Sequence, residues 1–209
     1  MSDLVDPGRR RFIRAALAAP VVLAAGSRIA WAEWAAAVAA NAGAPVASPT
    51  PECTDGDEPT PSETQGPFFK PRSPLRSSFL EPGLHGTRIV VTGRVFARDC
   101  RPIGGALLDF WHADDEGEYD NQGFRLRGHQ FTDGAGRYRL ETIVPGLYPG
   151  RTRHFHVKVQ APHGRVLTTQ LYFPGESRNE RDGLFRPDLL MKVPKGSGES
   201  RFHFMPDPT

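Results

Sequence analysis

The sequence predicts an all-β protein, an antiparallel β-sandwich, and three observations carry that expectation. Short runs that alternate apolar and polar residues recur from Arg88 onward. Turn signals such as Asp133-Gly134, Pro162-His163-Gly164 and Pro174-Gly175 separate them. The 22 glycines and 20 prolines among 209 residues weigh against a bundle of helices.

In chain order, residues 1–32 read as a twin-arginine-type signal peptide. Gly8-Arg-Arg-Arg-Phe-Ile-Arg14 precedes a short apolar run from Ala15 to Ala25, and Ala30-Trp31-Ala32 supplies a small-residue cleavage site. The run is too short and alanine-rich to span a bilayer, so no stable membrane span is expected in the mature form. The expected location is periplasmic or secreted. Removing this segment takes away five arginines against Asp3 and Asp6, so the formal charge falls from +2 by three units to −1. The remaining chain has no lysine or arginine block, which argues against nucleic acid as a partner and for a small molecule.

Residues 33–61, rich in Ala, Pro, Ser, Thr and acidic side chains without durable periodicity, read as a linker or arm. Residues 62–209 are long enough for one domain with its own core. Strands are predicted over Arg88 to Ala97, Ala106 to Trp111, Arg137 to Thr142, Arg153 to Gln160, Arg165 to Phe173 and Ser200 to Phe204. The two cysteines, Cys53 and Cys100, both follow the signal segment; an oxidising compartment permits a disulfide between them, and two unpaired thiols remain the alternative.

Chemistry concentrates between Tyr148 and His156, where Tyr-Pro-Gly-Arg-Thr-Arg-His-Phe-His packs a phenol, two imidazoles and guanidinium groups together. On a strand, His154 and His156 point to one face and make a two-toothed metal clamp. A His-x-His alone is more simply a pair of strand histidines. Tyrosine alters that balance, because a phenolate is a hard anionic donor suited to ferric iron more than to zinc. Of the four tyrosines, Tyr138 and Tyr172 lie in apolar runs where aromatics pack, whereas Tyr119 follows a strand in a polar, glycine-containing stretch that reads as a loop. His85, His112, His129, His163 and His203 share no ligand spacing, with His112 and His129 as candidates for pocket lining, and Trp111 reads as core packing.

The segments Thr60-Pro-Ser-Glu-Thr-Gln-Gly-Pro-Phe-Phe69, Gly104-Gly-Ala-Leu-Leu-Asp-Phe-Trp-His-Ala-Asp114, Gly117-Glu-Tyr119, Phe124-Arg-Leu-Arg-Gly128, Thr132-Asp-Gly-Ala-Gly-Arg-Tyr138, Thr142-Ile-Val-Pro-Gly-Leu-Tyr-Pro149 and Leu167-Thr-Thr-Gln-Leu-Tyr-Phe-Pro-Gly175 together resemble the intradiol ring-cleaving dioxygenases, the protocatechuate and catechol dioxygenases. That resemblance implies a β-sandwich holding non-haem Fe(3+) through Tyr119, Tyr148, His154 and His156. It implies Tyr148 as the ligand that leaves when substrate binds, with Arg151 and Gln170 as further catalytic groups. It further implies ortho cleavage of a catechol-type diol by O2 to a cis,cis-muconate-type diacid, with room for a homo-oligomer. The family usually has proline after the arginine, but here Thr152 and a second arginine, Arg153, precede His154, so either arginine fits the role. The substrate stays open among protocatechuate, catechol, hydroxyquinol and larger substituted catechols.

Three rival readings come from other classes. A non-catalytic β-sandwich binding module of the same fold would have lost ligands, and none is lost. A ferrous extradiol or cupin-like enzyme wants two histidines and a carboxylate, which the His-x-His strand lacks. A copper site is weakened by the absence of a cysteine or methionine near the histidines.

Overall fold

The computed structural model describes residue 53 and residues 58–194 and 198–207. The signal peptide expected over residues 1–32 and most of the arm expected over 33–61 lie outside these residues. Among the described residues there are seven strands: β1 (Arg88–Arg94), β2 (Leu107–Trp111), β3 (Arg127–Phe131), β4 (Arg137–Ile143), β5 (His154–Gln160), β6 (Val166–Tyr172) and β7 (Glu199–Arg201). They form a three-stranded sheet in the order β4-β1-β7 and a four-stranded sheet in the order β3-β2-β5-β6.

Period-two alternation explains how the two sheets pack. Ile89 and Val91 of β1 and Tyr138 and Leu140 of β4 face Leu108 and Phe110 of β2, Phe155, Val157 and Val159 of β5 and Leu171 of β6 in one buried cluster. Each such side chain contributes about 1.5–3 kcal/mol by leaving water, which offsets the chain entropy of ordering the strands. The same alternation leaves Trp111, His154, His156 and Gln170 on the other face of the four-stranded sheet.

Two features depart from the sequence reading. β7 pairs with β1 in parallel, so the sandwich is not wholly antiparallel. β3 has no counterpart among the predicted strands, because its sequence Arg-Gly-His-Gln-Phe lacks the apolar alternation that marks a strand. It buries a charged residue, Arg127, at 1 % exposure, and its Gly128 is required by crowding, since a Cβ there would lie 2.7 Å from the Phe79 ring. Several predicted strand ends are also trimmed; Val95 and Phe96 make isolated bridges to Phe204 and Pro102 instead of extending β1.

The last residues assigned to the arm are docked on the sandwich. Thr60 N–H donates to the Met205 carbonyl at 2.9 Å, and Met205 N–H donates to Thr60 Oγ1 at 2.8 Å. Cys53 and Cys100 form a disulfide with a Cα–Cα distance of 5.6 Å, packed with Phe96 and Met205. Among the described residues, no helix is long and apolar enough to cross a membrane.

Candidate metal centre

β2, β5 and β6 set the floor of the site by register. Trp111 pairs with His156, which pairs with Gln170 on the next strand, and His154 pairs with Tyr172. His154 and His156 therefore stand side by side on the outer face of the sheet, and their Nε2 atoms approach to 3.1 Å. His154 Nδ1 lies 2.7 Å from the Thr152 carbonyl, which places the proton on Nδ1 and leaves the Nε2 lone pair for a ligand. His156 is held by stacking: its ring lies parallel to Trp111 within 3°, with centroids 4.9 Å apart.

The tyrosines arrive on two loops. Gly117 adopts φ +91, and a Cβ at that position would sit 2.6 Å from the Leu147 carbonyl. Only glycine lets the loop after β2 approach the loop after β4 this closely, and the approach brings Tyr119 and Tyr148 together at 6.0 Å between ring centroids. Tyr119 Oη lies 3.4 Å from His154 Nε2. Phe68 wedges against both phenols, stacked on Tyr119 at 4.4 Å and edge-on to Tyr148 at 5.4 Å.

Burial controls the charges here. It drives the His154 pKa down to about 4, aided by the Arg151 charge, and pushes His156 well below the ordinary imidazole value, so both rings are neutral near pH 7. Burial also raises the Tyr119 phenol far above its usual pKa, against the pull of the Arg151 and Arg127 guanidinium groups. A buried phenol of this kind ionises when a cation takes the proton's place. Among the described residues, no group of three or more His, Cys, Asp or Glu could hold a metal ion, and the oxygen donor in contact with the histidine pair is the Tyr119 phenol. Two neutral imidazoles with convergent nitrogens and two adjacent phenols fit a trivalent ion better than zinc or a ferrous facial triad.

The two arginines of the predicted site diverge. Arg151 donates through Nη2 to Gln170 Oε1 at 2.6 Å and through Nε to Asp182 at 2.8 Å. Arg153 turns instead to Glu176 at 2.8 Å and to the Pro145 carbonyl. The structure thus brings His154, His156 and Tyr119 into mutual contact, with Tyr148 beside Tyr119, and pairs Arg151 with Gln170, which strand register places opposite His156. His112 does not line the pocket. It is 1 % exposed and bonded to the Ala113 carbonyl and Thr142 Oγ1 at 2.7 Å each, inside the core. His129 is likewise engaged, with Nδ1 2.8 Å from the Ser73 carbonyl.

Sequence reasoning missed several participants. Trp111 is a wall of the site as well as a core residue. The segment from Thr64 to Phe69 covers the sheet face: the Thr64 carbonyl accepts from Gln170 Nε2 at 2.9 Å, Gly66 sits against His156, and Phe69 meets Trp111 edge-on at 4.9 Å. Arg127, fully buried, donates to the Phe68 carbonyl at 2.5 Å and to the Asp120 carbonyl at 3.0 Å, so it fixes the chain on both sides of Tyr119. The motif containing Arg127 is visible in the sequence, but nothing there tells that the guanidinium is buried.

Known proteins resemble this chain in sequence and in fold. The family model described as Dioxygenase matches residues 65–185, more than half of the chain. The chain is 35% identical over 119 residues to the protocatechuate 3,4-dioxygenase beta chain of Burkholderia cepacia, covering 48% of this chain and 51% of that protein. It is 31% identical over 143 residues to catechol 1,2-dioxygenase 2 of Acinetobacter lwoffii, covering 56% and 52% respectively. It spans about half the length of these curated relatives. Among solved structures, it resembles the dioxygenase domain of a dioxygenase carbohydrate-binding protein fusion from Streptomyces sp. SirexAA-E, with 55% identity and a TM-score of 0.70 over 73% of this chain and 100% of that one. It also resembles an intradiol ring-cleavage dioxygenase from Tetranychus urticae, with 25% identity and a TM-score of 0.67 over 73% of this chain and 96% of that one.

Proposed function

This chain belongs to the intradiol ring-cleavage dioxygenase family, and from that premise we propose that it cleaves a catechol-type diol between its two hydroxyl-bearing carbons with O2, giving a cis,cis-muconate-type diacid. The observation that carries the proposal is the convergence on His154 Nε2 of His156 Nε2 at 3.1 Å and Tyr119 Oη at 3.4 Å, with Tyr148 adjoining Tyr119. Tyr119, Tyr148, His154 and His156 would hold Fe(3+). When bound, ferric iron supplies the withdrawal of electron density from a coordinated catecholate that lets dioxygen attack the ring.

The protein's own groups divide the remaining work. Tyr119 is clamped between Phe68 and the chain held by Arg127, and it remains in place. Tyr148, half-buried on its loop, would be the phenolate that gives way to substrate, and its Oη would take a substrate hydroxyl proton. Arg151, with Nε fixed by Asp182, presents its permanent charge beside Gln170 to the electron-rich ring. Phe68, Phe69 and Trp111 keep bulk water from one side of the site.

Export by the twin-arginine-type segment belongs to the same proposal, and the Cys53–Cys100 disulfide supports it, since such bonds persist in oxidising compartments. The test is visible absorption of the iron-loaded chain. Phenolate-to-iron charge transfer should colour it reddish, and the double substitution Tyr119→Phe with Tyr148→Phe should abolish the colour; a colourless iron-loaded wild type contradicts the ligand set.

A further inference from the structure

Tyr172 sits in an apolar run, and its ring packs edge-on against Phe185 with centroids 5.2 Å apart. Its hydroxyl does something else. On β6 Tyr172 lies two residues after Gln170 and opposite His154 of β5, hence on the face that carries the histidines. There Oη stands 2.7 Å from the Leu184 carbonyl and 3.1 Å from Gln170 Oε1, and Arg151 Nη2 approaches it at 3.5 Å. A phenol has one proton to offer these two acceptors. Arg151 Nη2, which donates to Gln170 Oε1 at 2.6 Å, brings the second, so the phenol, the amide and the guanidinium are satisfied only together.

These contacts close a ring. Leu184 N–H donates to Asp182 Oδ1 at 3.0 Å, and Asp182 accepts from Arg151 Nε at 2.8 Å, so the path leads from Tyr172 through Leu184 and Asp182 back to the arginine. Asp182 is anchored in turn. It accepts the N–H of buried Thr152 at 2.8 Å, and the Thr152 hydroxyl donates to Asn179 Oδ1 at 2.7 Å. On the other side Gln170 Nε2 donates to the Thr64 carbonyl at 2.9 Å, which ties the ring to the segment covering the sheet face. Tyr172 and Gln170 are fully buried, so no water competes for these bonds. An arginine side chain has many rotamers, and the ring selects one of them. With Nε and Nη2 engaged by Asp182 and Gln170, Nη1 makes no hydrogen bond among the described residues and remains to meet a ligand.

We propose that Tyr172 is a positioning residue for the reaction: its hydroxyl, through Gln170 and Leu184, holds the Arg151 guanidinium where its charge can act on the bound diol. A charge aimed before the reaction costs no reorganisation during it, and a small misplacement of such a group is felt in the rate. The proposal rests on the ring-cleavage reading above and adds to it a residue whose effect passes wholly through Arg151.

The experiment is a double-mutant cycle on the iron-loaded full chain with catechol as substrate. Tyr172→Phe removes the hydroxyl and keeps the ring against Phe185, so the fold is retained, which a thermal melt checks. It is expected to lower kcat about tenfold, the scale of one hydrogen bond, with KM and iron content little changed. In the Arg151→Ala background the same substitution should change kcat by less than about twofold, because the group it positions is gone. A hydroxyl with a merely structural role would cost the same in both backgrounds, and that result overturns the proposal. A second readout needs neither iron nor turnover: hydrogen exchange of the Arg151 Nε–H in the metal-free chain, followed by nitrogen-15 NMR, with the resonance identified by its loss in Arg151→Lys. Exchange should quicken about tenfold in Tyr172→Phe. Equal exchange in variant and wild type also overturns the proposal. If the wild type cleaves no diol, the ring-cleavage reading fails by itself, and the exchange rates still decide whether Tyr172 holds Arg151.

Discussion

Trp111 and His156 are cross-strand partners whose rings lie parallel within 3° at 4.9 Å, so a candidate metal ligand is oriented by the packing of its neighbouring strand rather than by a hydrogen bond. His156 Nδ1 is in fact buried with no hydrogen-bond partner among the described residues. The indole face is what holds the ring upright.

Removing that face should loosen the ligand. Trp111→Ala is expected to cost about 3–5 kcal/mol of stability as a buried aromatic truncation and to weaken iron retention against a chelator. Trp111→Phe keeps an aromatic wall and should lose less of both. Chelator competition followed by absorbance checks the pair; equal iron retention in Trp111→Ala and wild type would remove the orienting role.

Arg151 and Arg153 separate in a second test. Arg151 reaches Gln170, whereas Arg153 is tied to Glu176 and the Pro145 carbonyl away from the histidines. Arg151→Ala should therefore lower kcat about 100-fold with iron binding retained, on the scale of losing one preorganised charge-stabilising group. Arg153→Ala should cost about tenfold or less, as a positional effect. Steady-state rates at saturating diol give the comparison, and the reverse order would shift the role by two residues.

The pH dependence of folding follows from buried imidazoles. Burial holds His112 in the native protein at a pKa of about 3, against 6.5 when unfolded. The unfolded chain therefore binds this proton more readily, so the stability is fully present above pH 6.5 and is lost as pH falls toward 3. Replacing the imidazole in His112→Gln should flatten that acid limb in the metal-free protein, at the cost of lower stability near pH 7. Denaturant melts between pH 4 and 7 measure it. A limb of the same slope in the variant would assign the loss to other groups.

Much of this was legible in the sequence, for identifiable reasons. His154 and His156 sit on a strand with regular alternation, so their shared face could be read from period two alone, whereas Gln170 was legible only through the Leu167-Thr-Thr-Gln170 motif of the resemblance. Tyr119 stood out because its loop is polar and glycine-containing, and Gly117 proves to be the residue that allows the two tyrosine loops to meet. β3 was not legible, because its buried positions are filled by Arg127, Gly128 and Gln130, whose burial depends on distant chain segments. The Thr152–Asp182–Asn179 link is equally long-range: it joins residues 27 and 30 apart through side-chain hydrogen bonds that no local pattern encodes. Trp111 read as core because a tryptophan at a strand end is usually packing. Its second face, toward His156, emerges only from strand register.

The central claim is the bond that breaks, and isotope incorporation measures it most directly. Iron-loaded protein given a catechol under labelled dioxygen should yield a colourless muconate-type diacid carrying both labelled atoms, read by mass spectrometry with little exchange from water. A yellow semialdehyde, or a diol panel that takes up no labelled oxygen, would contradict the account.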